Sequence, residues 1–194
     1  MLKREIIIVL VAVILLSGIV LAQTFLVKSN DPKLYLSLGD FLLKNNNPEK
    51  ALSAYNKALE LDPTNKAVLN NLGYYYKDSN PLLAEDYFKR ALEADNECDT
   101  ARNNLALLYN KMGQYDKAVE QLRILVKNNP DSIHYIYDLA INLANKFYYQ
   151  GKLYDDLVES IKYFKMSYDK QPNFEHSLDN IKVLEEIRKL INNN

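Results

Sequence analysis

Glycine, proline, cysteine and tryptophan are scarce or missing in this chain of 194 residues. Five glycines and six prolines leave room for long uninterrupted helices and argue against a turn-rich β architecture. The single cysteine, Cys98, excludes an intrachain disulfide and a cysteine-based metal cluster. A formal net charge of −1 gives no broad electrostatic attraction to nucleic acid. The length allows one sizeable domain or two.

Catalytic motifs are missing as well. His134 and His176 have no cysteine or histidine beside them at metal-ligand spacing. No histidine lies near Cys98 in the sequence to activate its thiol, and no glycine-rich loop follows a strand pattern. The sequence therefore predicts a protein that is not an enzyme, with no catalytic, cofactor or metal site and no small-molecule substrate.

One long hydrophobic run, from Ile6 to Val27, carries no charge. About 20 apolar residues suffice for a helix to cross the hydrocarbon core of a membrane, so residues 1–28 are predicted to form an N-terminal transmembrane anchor, with 6–27 in the membrane. A cleaved signal peptide is the alternative, because Val20 and Ala22 resemble a cleavage site. The apolar region of a signal peptide is usually shorter, roughly 7–15 residues.

The charges that flank this run predict its orientation. Lys3 and Arg4 precede it, whereas the charges that follow, from Lys28 onward, are mixed. The positive-inside rule therefore places the N-terminus in the cytoplasm and the rest of the chain outside it. We expect a single-pass protein of the cytoplasmic membrane with an extracytoplasmic domain.

The rest of the chain repeats itself with a period close to 34 residues. The stretch YNKALELDPTN at 55–65 returns as FKRALEADNEC at 88–98, and Gly39 and Gly73 are separated by one period. Within each period the apolar residues recur at helical spacing in two short stretches. Each period thus predicts a helical hairpin whose apolar stripe is buried only when copies stack.

These hairpins resemble the tetratricopeptide repeat. In the first unit, 32–65, the residues that carry the resemblance are Tyr35, Leu38, Gly39, Ala51, Tyr55, Ala58 and Pro63. Further units fall at 66–98, 99–132 and 133–172, followed by a capping helix at 173–191. The resemblance implies an all-α fold, a right-handed α-solenoid of about four helix hairpins plus the C-terminal capping helix, in a domain spanning 32–194.

The last part of the chain departs from the regular period. The fourth unit has eight extra residues, about two helical turns, which predicts longer helices on both sides of Gly151. The capping helix is predicted to place on one side Phe174, Leu178, Ile181, Leu184, Ile187 and Leu190.

The resemblance also implies a partner-binding surface on the concave face, formed by the first helix of each hairpin. The residues predicted to contact a partner are Asn70, Asn71, Tyr74, Asn103, Asn104, Leu107, Tyr137 and Asp138. Asn71 and Asn104 look like the asparagine ladder with which some family members hold an extended peptide, because an amide both donates and accepts. Hydrogen bonding between repeats is the alternative role for these two amides.

The tyrosines divide into two groups by their place in the repeat. Tyr35, Tyr55, Tyr76 and Tyr109 occupy packing positions and are predicted to lie in the core. Tyr74, Tyr137, Tyr148 and Tyr149 do not, and are predicted to be available for contact, although the last two can instead fill space in the longer hairpin.

The function predicted from these features is that of a membrane-tethered scaffold or adaptor of bacterial type, which binds another protein or peptide through its concave groove outside the cytoplasm. A structural subunit of an envelope assembly, such as a secretion, pilus or cell-wall complex, is one alternative. A regulatory arm for a separate enzyme is the other. Nucleic acid is not an expected partner.

Overall fold

The computed structural model describes residues 30–151 and 153–193, and these residues form helices joined by short turns. The nine helices of this part of the chain are α1 (Pro32–Lys44), α2 (Pro48–Leu61), α3 (Lys66–Tyr76), α4 (Pro81–Ala94), α5 (Asp99–Lys111), α6 (Tyr115–Asn128), α7 (Ile133–Tyr149), α8 (Tyr154–Lys170) and α9 (Ser177–Asn192). The all-α class predicted from the sequence is confirmed.

Proline and short polar residues mark where several helices begin. The first residues of α1, α2 and α4 are Pro32, Pro48 and Pro81, whose missing N–H would have no helical partner at that position. The Asp31 carboxylate accepts a hydrogen bond from the Lys33 N–H at 2.9 Å and so caps α1. These residues therefore mark the starts of the helices.

The described residues form two compact units, divided in the sequence between Asn71 and Leu72, inside α3. In the first unit α1 packs on α2. The Tyr55 ring of α2 is fully buried against Gly39 of α1, at a place where any added Cβ would collide with the ring. This contact explains why the first helix of the hairpin carries glycine there.

In the second unit each helix from α4 to α9 packs on the next one. A Cβ at Gly73 would lie 2.6 Å from the Phe88 ring, so the first-unit arrangement of a small residue facing a large one recurs here. Ala106 and Leu122 share one buried cluster, and Ala140 and Phe164 share another. The repeated small residues therefore serve the close approach of paired helices.

The extra residues of the fourth unit lengthen both of its helices, as predicted. Helices α7 and α8 each contain 17 residues, against 13 for α5 and 14 for α6. They are joined at Gly151, which has a φ of +135° that residues with a Cβ rarely adopt. Phe147 is buried inside this longer hairpin.

The buried side of α9 differs in part from the prediction. Ile181 and Leu184 are buried and Phe174 packs beside them in the same cluster. Leu178 and Leu190 are exposed, which contradicts their predicted place on the apolar side. Helix α9 packs mainly on α8, so a single narrow stripe of α9 is covered and side chains at its margins remain in solvent.

None of the helices formed by residues 30–151 and 153–193 combines the length and the apolar character needed to cross a membrane. The predicted anchor at 1–28 lies outside the described residues.

Candidate functional site

A cleft of about 180 Å³ opens in the second unit, beside the last turn of α3 and along one face of α5. The residues that line it are Tyr74, Lys77, Asp78, Phe88, Asn104, Leu107, Leu108 and Lys111. Tyr74, Asn104 and Leu107 are three of the eight residues predicted to contact a partner. The structure thus brings these three predicted residues together at one surface.

The α5 side of the cleft consists of residues that share one face of that helix. Asn104 lies three residues before Leu107 and four before Leu108. Lys111 lies four residues after Leu107 and three after Leu108, so the four side chains share one face of the helix. Leu108 is 3% exposed and belongs to the core, whereas Leu107 is 50% exposed. The face therefore passes from the core into solvent and presents an apolar side chain next to an amide.

The α3 side of the cleft is aromatic and cationic. The Tyr74 side chain is 53% exposed, and the Lys77 ammonium lies 3.6 Å from the centroid of its ring. A cation at this distance over an aromatic face is attracted to the ring electrons. The contact holds the lysine and the tyrosine together at the rim.

A second lysine stands at the rim from the α5 side. The Lys111 ammonium pairs with the Asp78 carboxylate, and both side chains are more than half exposed. The hydrogen bond from Lys111 holds the pKa of Asp78 below its usual value. The rim carries two lysines and one aspartate, so its charge is positive. The groove positions of the repeat include Lys77, which follows Tyr74 by three residues, whereas Lys111 was not predicted. Its spacing of four residues from Leu107 on α5 is the signal that marks it.

Asn71 lies in the first unit and is held by other side chains. Its Nδ2 atom donates to the Asp40 carboxylate at 2.8 Å, and the Tyr55 hydroxyl donates to the same carboxylate oxygen at 2.7 Å. Burial and this carboxylate hold the pKa of Tyr55 well above its usual value. Asn70 is half-buried and donates to the Asn71 side chain at 3.5 Å. The contacts of Asn71 match the alternative role, hydrogen bonding between neighbouring helices.

An asparagine pair of the same kind joins α5 and α7 in the second unit. The Asn110 amide donates to the Asn142 side-chain oxygen at 2.7 Å, and the Asn142 amide donates to the Asp138 carbonyl at 2.8 Å. Asn142 is 4% exposed. Asn103, one of the predicted contact residues, is half-buried and its Oδ1 atom has no hydrogen-bond partner in the described part of the chain.

Tyr137 does not occupy the predicted exposed position. Its side chain is 8% exposed, and its ring meets the rings of Phe164 and Phe174 edge-on at 5.5 and 5.4 Å. Phe174 reaches it from the turn that precedes α9, so the capping segment covers a residue that the repeat pattern alone leaves open. Tyr137 therefore belongs to the core, and the prediction that it contacts a partner is wrong.

Asp138 is half-buried next to Tyr137. Burial raises the pKa of its carboxyl to about 6, the nearby Glu175 carboxylate adds to the rise, and His134 opposes it. Its carboxylate makes no hydrogen bond or ion pair with the residues described in the structure. The structure does not place Asp138 among the lining residues of the cleft.

Tyr148 and Tyr149 are exposed at the end of the longer hairpin. Tyr149 is 73% exposed and stacks on Tyr115 at 5.8 Å between ring centroids, while Tyr148 is 45% exposed. The Gln150 amide donates to the Gly113 carbonyl at 3.0 Å and ties this end to the preceding turn. The predicted availability of these two tyrosines agrees with their exposure.

The first unit has a larger and more open groove of about 840 Å³ along α1 and α2. Leu38 and Leu42 lie in it. The residues at the same places in the third repeat, Leu105 and Tyr109, pack on the preceding helix α4. The groove is thus the face that a stacked repeat turns toward the helix before it, and none of the eight predicted contact residues lines it.

The cleft is lined by an aromatic ring, leucines, an amide and charged side chains. Within the described ranges no group of three or more histidine, cysteine, aspartate and glutamate side chains is placed to hold a metal ion. The cleft is also smaller than the pockets of roughly 300–1,000 Å³ that enclose whole small molecules. Successive helical hairpins of similar length define the class of helical repeat proteins.

Comparison with known families assigns the chain within that class. Models of the tetratricopeptide repeat match residues 32–65, 54–84 and 75–140, and together they cover 32–140. The chain belongs to the tetratricopeptide repeat family, as the sequence resemblance predicted. No curated protein gives a significant match to it.

Solved structures of repeat proteins share the fold. YrrB, a TPR protein with an unusual peptide-binding site, is 23% identical over 87% of this chain and 83% of its own, with a TM-score of 0.73. MamA is 24% identical over 74% of each chain, with a TM-score of 0.63. Pseudomonas aeruginosa pilF is 20% identical over 82% of this chain and 70% of its own, with a TM-score of 0.64. At these identities the likeness shows the fold alone.

Proposed function

We propose that this protein is an adaptor that holds a peptide segment of another protein in the cleft formed by Tyr74, Asn104 and Leu107. The observation that carries the proposal is the exposure of an aromatic and an aliphatic side chain around a concave, side-chain-sized space. Aromatic side chains fixed on a rigid scaffold are favoured anchors at protein interfaces. The family consists of protein-interaction scaffolds, and such a surface is what this role requires.

We further propose that the repeat domain is tethered to the cytoplasmic membrane and acts outside the cytoplasm. The support is the uncharged run Ile6–Val27 with Lys3 and Arg4 before it. A tethered adaptor searches for its partner at a raised local concentration, which compensates for the small contact area of one cleft.

A structural subunit of an envelope assembly is the second candidate function. The exposed Tyr148 and Tyr149 favour it, because they form a surface at the end of the longer hairpin that is distinct from the cleft lining. In that case constitutive contacts would depend on these tyrosines, and the cleft would be dispensable.

Selection from a random peptide display library tests the adaptor function, with the full-length chain held in lipid nanodiscs. Peptides should be enriched on the natural chain, and their affinity should fall at least tenfold in Leu107→Ser. Tyr149→Ser is the matched control, because it also removes an exposed apolar side chain, and binding should be unchanged. Absence of enrichment, or an equal loss in both variants, would refute peptide binding at the cleft.

A further inference from the structure

The size and the lining of the cleft determine which kind of side chain can bind in it. Its floor contains Phe88 and Leu108, which are 1% and 3% exposed, and its walls include the half-exposed Tyr74 and Leu107. The volume of about 180 Å³ suits one large apolar side chain. Burying an apolar side chain against these residues is favourable in proportion to the area removed from water.

The charge at the rim determines which peptide residues are favoured beside that apolar side chain. Lys77 makes no ion pair with the residues the structure describes, and its ammonium is held over the Tyr74 ring. Among the residues described, Lys111 pairs with Asp78 alone, in an exposed contact of a kind that contributes little to stability. A carboxylate arriving at the rim thus meets one unpaired ammonium and a second that Asp78 gives up at small cost.

We propose that the cleft recognises an acidic–apolar motif, in which a large apolar side chain enters the cleft and an Asp or Glu one or two residues away binds Lys77 and Lys111. This inference rests on the proposed peptide-binding function and names the chemistry of the peptide. The positive charge at the rim disfavours basic peptides by repulsion.

One branch of the family that the sequence resembles binds chaperone tails by gripping a terminal carboxylate with lysines and arginines at set positions, and the motif proposed here differs from that carboxylate clamp. The places that would carry the clamp hold Leu36, Asp40, Thr100 and Asn104, and none of these is basic. The two lysines of the cleft come from other positions, one directly after α3 and one at the last residue of α5. In the proposed motif the peptide carboxylate also lies one or two residues from an apolar side chain of the same peptide, which is buried in the cleft.

The experiment is the composition of peptides selected on the full-length chain in nanodiscs, with a double variant of the rim. Lys77→Gln with Lys111→Gln removes both charges and retains side chains of similar length. Lys162→Gln with Lys189→Gln is the matched control. Lys162 lies 5.6 Å from the centroid of the Tyr163 ring and Lys189 pairs with Glu186, so the same kinds of contact and the same charge are lost elsewhere.

The expected result is enrichment of Asp or Glu within two positions of Leu, Ile, Met or Phe. Affinity for such a peptide should fall at least tenfold in the rim variant and should be unchanged in the control. Raising the salt concentration should weaken binding to the natural chain more than to the rim variant, because salt screens exposed charges.

Two outcomes would overturn the inference and are distinguishable. Enriched peptides that lack the acidic residue, or that bind the rim variant equally well, would refute the acidic–apolar motif and leave peptide binding intact. Absence of any enrichment on the natural chain would refute peptide binding itself, and the motif with it.

Discussion

The contact between Gly73 and Phe88 predicts that adding a single methyl group destabilises the protein. A Cβ at position 73 would lie 2.6 Å from one ring carbon of Phe88, and the ring is 1% exposed and so has little room to move. Overpacking of a core costs about 1–3 kcal/mol. Alanine gains about 1 kcal/mol over glycine from helix propensity. We therefore expect Gly73→Ala to lower the free energy of unfolding by about 1 kcal/mol, although propensity alone predicts a gain.

A second substitution should reverse the effect. In the next repeat the corresponding positions hold Ala106 and Leu122, which share a buried cluster, so the fold already contains an alanine and a leucine at these two places. Phe88→Leu alone removes ring contacts and should cost roughly 1–2 kcal/mol, less than full truncation of a phenylalanine. Combined with Gly73→Ala, the leucine makes room for the new methyl group. The double variant should be more stable than the sum of the two single changes predicts, by at least about 1 kcal/mol.

Thermal unfolding of the full-length chain in detergent, followed by circular dichroism, measures all four members of this cycle. For a folded region of this size, about 1 kcal/mol corresponds to a shift of about 2–4 °C in Tm. A Tm of Gly73→Ala equal to or above that of the natural chain would refute the close contact. Additive effects of the two substitutions would show that residues 73 and 88 do not interact.

Four further predictions concern the core, the acid behaviour, the amides and the anchor. Ala91→Asp places a carboxylate at a fully buried position and should lower Tm more than Gly73→Ala does; an equal or smaller effect would place position 91 outside the core. The pKa of Asp138 is raised to about 6, so the stability that its proton contributes is complete below its usual value of about 4 and is lost as the pH rises through 6. Asp138→Asn should therefore raise Tm more at about pH 7.5 than at about pH 4, and a pH-independent gap would contradict this. Asn104→Ala should weaken peptide capture about tenfold, about 1.4 kcal/mol. Asn71→Ala should chiefly lower Tm, because Asn71 loses its hydrogen bond to the Asp40 carboxylate. The reverse pattern would exchange the roles of the two residues. The mature protein should begin at its N-terminal segment and resist extraction from membranes by high salt, and recovery of a secreted form starting at Gln23 would favour the signal peptide.

The sequence alone determined the helices and their pairing, because these depend on local chemistry and on spacing along the chain. Apolar residues at helical intervals and prolines at first helical positions define each helix. The period that places Gly39 and Gly73 one repeat apart also identifies the close approach of paired helices, which the contacts with Tyr55 and Phe88 confirm. The eight extra residues between repeat positions of the fourth unit likewise predicted that α7 and α8 are longer than the other helices.

The exposure of individual surface side chains was decided only by the tertiary structure. Tyr137 falls at a groove position by its spacing, yet it is buried because Phe174, far along the chain, folds over it. Asn71 falls on the predicted ladder, yet its amide is engaged by Asp40. Lys77, directly after α3, and Lys111, the last residue of α5, meet at the rim of the cleft only after folding. Periodicity assigns a residue to a face of its own helix, whereas what covers that face depends on contacts between segments distant in the sequence, and these follow from packing.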